Sequence, residues 1–366
     1  MRIGLVSNFR GGLKQFVSSL CDGLQAKGFE VDVLCPAPWE FGDARRSVED
    51  LTVHRGFSAI RRLLSKRYDL IHCNIASLGL IPIFRKKLNG IPIIETFHGF
   101  PQWWVESKIK DKMAYAAEFG AVETMAKFAN SKTSVSDFVR STLQQVLGID
   151  SSVIHNGIAH CLSSEPTREQ SRRQFEIEDG TIAILFVGRL HPAKDPITLL
   201  RAFRILVKQG RKVKFLVVGD GPLSKVFHQE VRALDIERLV TTWNYLPSLH
   251  PVFSAADIFC FPSVNEAFGI VLLEAMDHSL PLLVSDSGAA PEVAGSGGIT
   301  FRTGDEIDLS HRLIQLADDP ALRKKLGREG RRRLDEHFMV DSMIRHYIRI
   351  YEEIGRYHPT HACAKS

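Results

Sequence analysis

No stretch of this chain approaches the roughly 18 consecutive apolar residues that cross a bilayer. Met1-Arg2-Ile3-Gly4-Leu5-Val6 runs straight into a strand pattern, without a charged, apolar and small-residue leader. Together these point to a cytoplasmic protein, at most peripheral at the inner membrane face. Cysteine is sparse: the six, at 21, 35, 73, 161, 260 and 363, include no C-x-x-C pair, and several fall in apolar strand patterns. That suits reduced, buried thiols and excludes a disulfide framework. D-x-D is absent, as is any Cys/His cluster with metal-ligand spacing, so the sequence requires no metal cofactor. Low-complexity tracts and short repeats are missing too.

What is present is the composition of a globular protein, with 44% hydrophobic and 24% charged residues. At 366 residues the chain is too long for one ordinary core and suits two domains. Its formal net charge of +5 lies wholly in the first half, because residues 1–155 carry 20 Lys/Arg against 15 Asp/Glu while the remainder carries 27 of each. Arg61-Arg62, Lys66-Arg67 and Arg85-Lys86-Lys87 are either solvated helix faces or contacts for an anionic acceptor or acidic lipid headgroups. Their density is below that of a nucleic-acid stripe, and no nucleic-acid partner is expected.

Apolar strands alternate with helical patterns along the whole chain, which predicts an α/β protein with parallel sheets covered on both faces. Strands are expected at 3–6, 31–35, 70–73, 91–96 and 133–135, and again at 182–187, 213–218, 258–261 and 282–285. Leu13, Phe16, Val17, Leu20 and Leu24 form one stripe of a helix after the first strand, and Met343, Tyr347, Ile350 and Ile354 one of a closing helix. Residues 156–180, with Asn156-Gly157, Pro166 and no strand signal, read as a turn, a linker and a lead-in helix. The expected division is 1–160, 161–340 and a final helix and tail at 341–366, giving two doubly wound units in tandem. Ligands of such sheets bind beyond the carboxyl ends of the strands.

The chemistry-bearing positions fall at those ends. After the strand 258–261, Pro262-Ser263 break the pattern, Glu266 lies in a loop, and a helix begins near Gly269 with Glu274 one turn in. The free amides of Phe268, Gly269 and Ile270 and the helix dipole suit a phosphate, and a nearby carboxylate suits ribose hydroxyls. On this spacing alone, two solvated glutamates flanking a helix would read the same. Arg189 and Lys194 leave the strand 182–187 within six residues of each other, a guanidinium fork and a compact ammonium that suit a diphosphate. Gly11-Gly12 precede a helix, His98-Gly99 follow a strand, and Gly219-Asp220-Gly221-Pro222 form a turn that reads as architecture. Trp103-Trp104 would stack on an acceptor sugar, sit at a membrane interface or pack in the core. A helical segment over 108–128 follows them.

Taken in order, these motifs together with Asn156-Gly157 and Pro291-Glu292 resemble the retaining glycosyltransferases of the group 1, or family 4, type. The resemblance covers nearly the whole chain and is strongest over 181–294. It implies a GT-B fold: two Rossmann-like domains facing across a cleft, acceptor mainly on the first, nucleotide sugar on the second, and a last helix crossing back to the first. It also implies a metal-independent transfer with retention from a nucleotide-diphosphate sugar, UDP-sugar favoured, to a hydroxyl of a saccharide or lipid-linked acceptor. By position, Arg189 and Lys194 would hold the diphosphate, supported by the amides of Gly269 and Ile270 beside Phe268 and Val271. Glu274 would bind ribose, Glu266 the donor sugar, Leu246 would lie by the base, Gly12 would close over the phosphates, and His98 would face the sugar. A sugar-nucleotide 2-epimerase on the same fold, or a non-catalytic sugar-nucleotide-binding protein, are the alternatives. The chain departs from the family pattern at Asn244, at Ala159, and at Asp277-His278-Ser279, where small residues are usual.

Overall fold

The fold is that of a computed structural model, which describes residues 1–7, 12–35, 53–65, 68–74, 90–99, 120, 122–161 and 166–357. Gly11, Lys66-Arg67, Arg85-Lys86-Lys87, Trp103-Trp104, Cys363 and most of the expected 108–128 helix lie outside these residues, though 122–128 are helical. The chain forms two compact units, one of Met1–Gly157 with Val340–Ser366 and one of Ile158–Met339. The break in the chain thus falls at the Asn156-Gly157 turn.

Unit 1 holds a seven-stranded parallel sheet in the order β3-β2-β1-β4-β5-β6-β7. Its strands are β1 (Arg2–Val6), β2 (Glu30–Cys35), β3 (Val53–Arg55), β4 (Leu70–Cys73), β5 (Ile93–Phe97), β6 (Ser131–Ser134) and β7 (Ser152–Val153). Helix α1 (Gly12–Ala26) buries Phe16, Val17, Leu20 and Leu24 of the predicted stripe together with Cys21, while Leu13, in its first turn, is only half-buried. Helix α2 (Phe57–Ser65) sets Ala59 and Leu63 into a core with Val6, Leu34, Ile71 and Met125. Helix α3 (Asp137–Leu147) is capped at Ser136, whose hydroxyl accepts from the Val139 amide, and ends on Gly148.

The sheet face away from the α2 core, the one α1 covers, carries a buried polar chain. His72 Nδ1 meets the Tyr351 hydroxyl at 2.7 Å and its Nε2 meets Thr96 Oγ1 at 2.7 Å. Thr96 Oγ1 in turn meets Thr133 Oγ1 at 2.7 Å and the Tyr347 hydroxyl at 3.2 Å. Burial pushes His72 down to about 3, so the ring is neutral and one nitrogen donates while the other accepts. The two tyrosines belong to the closing helix, Val340–Tyr357, which therefore seals unit 1 through Met343, Ile344, Tyr347 and Tyr351. Ile350 and Ile354, expected on the same stripe, are only half-buried, because the seam follows the 343-347-351 row.

Unit 2 holds a six-stranded parallel sheet in the order β10-β9-β8-β11-β12-β13. Strands β8 (Ile182–Val187), β9 (Val213–Val218), β11 (Ile258–Phe261) and β12 (Leu282–Ser285) match the expected spans. The edge strands β10 (Val240–Trp243) and β13 (Gly298–Phe301) are less apolar and gave no clear strand signal. The lead-in helix α4 (Arg168–Gln174) carries a capping box of Thr167 and Gln170, and its Arg168 and Arg172 both pair with Asp257. Helices α5 (Pro196–Lys208), α6 (Ser224–Ala233), α7 (His250–Ala255) and α8 (Ile270–Asp277) follow the strands. Phe186, Phe203, Phe215, Phe227 and Phe301 fill the core beneath α5 and α6. The glycine turn after β9 is architectural: Gly188 N–H donates to Val218 O at 3.0 Å and Leu190 N–H to Asp220 O at 3.1 Å. A Cβ on Gly219 would stand 1.9 Å from Gly188 O, so this turn presses backbone to backbone on the loop after β8.

Among the described residues, no helix is long and apolar enough to cross a membrane.

Candidate functional site

Strand order reverses between β8 and β11, which are hydrogen-bonded neighbours. At such a switch point the two following loops diverge and leave a crevice at the strand ends. The loop after β8 carries Arg189 and Lys194, and the loop after β11 carries Glu266 and leads to Gly269. The topology of unit 2 thus brings together groups separated by about 75 positions in sequence.

Lys194 is placed by local capping. It closes a single 3-10 turn, Pro192–Lys194, in which His191 Nδ1 accepts from the Ala193 amide at 3.2 Å, and Asp195 then caps α5 through Thr198 N. Ala193 O receives the Val264 amide at 2.8 Å, tying the two loops to each other. The Lys194 ammonium pairs with the Glu266 carboxylate, and it stands 5.2 Å from the centroid of Phe261. Their side chains are 26% and 18% exposed, so the pair is largely shielded from water. Arg189 differs: it is exposed and forms no ion pair among the described residues.

The Glu266 loop is fixed from the other side by the connection after β12, which sequence reasoning did not single out. Ser285 Oγ donates to Ser263 O at 2.5 Å, the Asn265 amide donates to Ser287 Oγ at 3.0 Å, and the Ala289 amide donates to Glu266 O at 2.8 Å. Gly288 has φ +68°, and a Cβ there would stand 2.4 Å from the Glu266 nitrogen. In sequence, Asp286-Ser287-Gly288 signals only a turn; its role as a clamp needs the fold.

Gly269, at φ 84°, precedes α8 and supplies no capping side chain, leaving the first-turn amides of Ile270 and Val271 open to an incoming acceptor. Phe268 is buried, with its ring 5.8 Å from that of Phe338, so its side chain serves the core and only its backbone can face a ligand. Glu274 lies one turn into α8 and is half-buried. Leu246 follows the edge strand β10 and is half-buried, two strands from β8.

In unit 1, Gly12 opens α1 and is exposed. His98 follows β5; its Nε2 is 3.0 Å from Asn74 Oδ1, and its ring meets Phe16 edge-on at 4.5 Å. In the neutral ring one of the two nitrogens donates and the other accepts. Burial pushes this histidine down to about 3, which keeps it neutral.

The thiols divide. Cys21, Cys35, Cys73 and Cys260 are buried, as expected, but Cys161 is exposed. The departures at Asp277-His278-Ser279 are also explained by contacts within unit 2. Asp277 Oδ1 accepts from Arg331 at 3.0 Å and from His160 Nδ1 at 2.7 Å, and its Oδ2 from the Cys161 amide at 2.7 Å. Ser279 takes the left-handed φ of 54° that a glycine would take more easily.

Comparison with known proteins agrees across both units. Residues 10–160 match the model described as Glycosyltransferase Family 4, and residues 167–333 match the model described as Glycosyl transferases group 1. The chain is 26% identical over 379 aligned residues to the phosphatidyl-myo-inositol mannosyltransferase of Mycobacterium leprae, covering 95% of this chain and 96% of that one. Among solved structures it is similar to sucrose-phosphate synthase from Thermosynechococcus elongatus, with TM-score 0.84 and 19% identity over 98% of this chain and 100% of that chain. It is also similar to Anabaena HepE in complex with UDP and glucose, with TM-score 0.80 and 18% identity over 96% of this chain and 100% of that chain. These structural likenesses establish the GT-B fold. The comparisons favour neither the epimerase nor the non-catalytic alternative.

Proposed function

The chain belongs to the group 1 glycosyltransferases, which use nucleotide-sugar donors, and we propose that it moves a hexose from a UDP-sugar to a hydroxyl of a saccharide or lipid-linked acceptor, with retention and without a divalent ion at the diphosphate. The observation that supports this reading is the Lys194–Glu266 pair, which joins the loops after β8 and β11 at the switch point, with Arg189 on the first loop and an uncapped helix start after the second. The complexes of HepE with UDP and UDP-glucose support uracil as the base. The name of the mycobacterial relative supports a lipid-linked acceptor.

In this reading Arg189 and Lys194 hold the diphosphate and stabilise the charge that builds on its oxygens as it leaves. The amides at the start of α8, from Gly269 to Val271 beside the Phe268 backbone, add to that field. Lys194 meets the phosphate by giving up Glu266, and the released carboxylate then accepts hydrogen bonds from the donor-sugar hydroxyls. Glu274 binds the ribose and Leu246 lies by the base. In unit 1 the proposed contacts are Gly12, for the phosphates, and His98, for the donor sugar. The acceptor hydroxyl attacks from the face the diphosphate leaves, and a phosphate oxygen takes its proton.

Thermal shift with UDP, GDP, ADP and dTDP and their hexose conjugates, in the presence of EDTA, tests the donor. A rise with UDP that vanishes in Arg189→Ala is expected; a rise with another diphosphate alone overturns the choice of base, and dependence on added magnesium overturns the metal-free transfer. The anomeric coupling of the product, by proton NMR, decides retention.

A further inference from the structure

The strand order of unit 1 also reverses, between β1 and β4, which pair from Ile3↔Leu70 to Val6↔Cys73. The residues just past those strands therefore stand where a ligand crevice opens in this fold class. Asn74 is the first residue beyond β4. Its backbone N–H donates to Val6 O at 2.9 Å, which carries the β1 and β4 pairing one step further and fixes its main chain. The residue is only 3% exposed, and one end of its carboxamide lies 3.0 Å from His98 Nε2. The other end is buried without a hydrogen-bond partner. Burying an unmatched amide end is unfavourable, and an apolar side chain of similar size would avoid it. The bond to His98 is thus what the carboxamide supplies at this position.

Among the described residues the His98 ring is otherwise held by shape. Phe16 meets it edge-on at 4.5 Å and itself rests edge-on against Tyr347 at 6.0 Å. Those contacts set the plane of the imidazole but not the place of its proton. Burial keeps the ring neutral, and a neutral imidazole has two tautomers, chosen by the hydrogen bond made at either nitrogen. We propose that Asn74 is a positioning residue for His98: by bonding Nε2 it selects one neutral tautomer, and so fixes whether Nδ1 meets the donor sugar as a hydrogen-bond donor or as an acceptor. The proposal rests on the reading of His98 as the group that faces that sugar. Either end of the amide makes the selection, because an oxygen against Nε2 demands a proton there and an NH2 group demands a lone pair. Asn74 carries no step of the transfer itself. Without it the ring samples both tautomers, and only part of the population presents the group the sugar needs.

Heteronuclear NMR of the full-length chain, labelled at its histidine ring nitrogens, reads the tautomer directly. The His98 signals, assigned by their loss in His98→Ala, are expected to show one protonated and one bare nitrogen in the wild type and averaged, intermediate shifts in Asn74→Leu. Release of UDP from UDP-glucose with water as acceptor supplies the activity readout. Asn74→Leu is expected to lower its kcat roughly tenfold, with KM for UDP-glucose unchanged and the UDP-induced thermal shift kept. In a His98→Ala background the same substitution should have no further effect, whereas a merely structural role would lower activity in both backgrounds. If Asn74→Leu fails to fold, Asn74→Ser, smaller and polar, carries the same comparison. An unchanged His98 tautomer in the folded Asn74 variant, or an equal loss of activity with and without His98, overturns the positioning role. Absence of a UDP shift or of UDP release in the wild type strikes the donor reading instead, and the NMR comparison then decides the role of Asn74 alone.

Discussion

Lys194 and Glu266, 72 positions apart, join the two central loops of unit 2 in one ion pair. Each is assigned to a different part of the donor, so the ligand-free protein keeps both charges neutralised by each other. Lys194→Ala alone leaves a shielded carboxylate without its partner and should cost about 1–3 kcal/mol in urea unfolding. Lys194→Ala combined with Glu266→Gln should recover most of that loss while the UDP-induced thermal shift stays weak. A double-mutant cycle reads the coupling directly.

Gly288→Ala tests the clamp behind Glu266. The substitution meets both an unfavourable φ and a Cβ contact of 2.4 Å, and should cost roughly 2 kcal/mol or more with loss of transferase activity. Gly28→Ala, at φ +83° with open space around it, should cost only about 1 kcal/mol and leave activity intact. Equal effects of the two on activity would remove any special role for Gly288.

His72 predicts an acid-labile unit 1. Its folded pKa, near 3, lies below the ordinary histidine value of 6.5, so the unfolded chain binds the extra proton first as pH falls. Stability is therefore full above about pH 6.5 and declines toward pH 3, with a limiting slope of about 1.4 kcal/mol per pH unit for this one group. His72→Gln should flatten the pH dependence of chemical unfolding over that window, whatever it does to stability at pH 7.

Tyr351→Phe removes the hydroxyl partner of His72 Nδ1 and leaves a buried polar atom unmatched, at a cost of about 1–3 kcal/mol. Hydrogen exchange should quicken in β4, β5 and the closing helix and stay unchanged in β8–β13. Quickening in unit 2 would contradict the division of the chain.

The central strands of both sheets were legible because they are continuous apolar runs, as at Ile182–Val187 and Ile258–Phe261. The edge strands were not: Val240–Trp243 carries two threonines, and Ser152–Val153 is too short to show a period. Arg189, Lys194 and Glu266 could be picked out because they sit in order beside strand ends. The Ser287-Gly288 clamp could not, since it has no spacing rule; only the folding of distant segments brings it against the Glu266 loop. His72 reads as one polar residue in an apolar strand until the partners from the closing helix are known.

The His72 chain also bears on the order of assembly. Residues 158–339 are contiguous, so every strand of unit 2 has been synthesised before Tyr347 and Tyr351 exist to cover His72 and Thr96. On a ribosome the second unit can finish folding first, while the first waits with a polar seam uncovered for the helix that follows it. A nascent chain halted just after Met339 should therefore yield a protease-resistant fragment from the later part of the sequence, and a fragile one from the beginning.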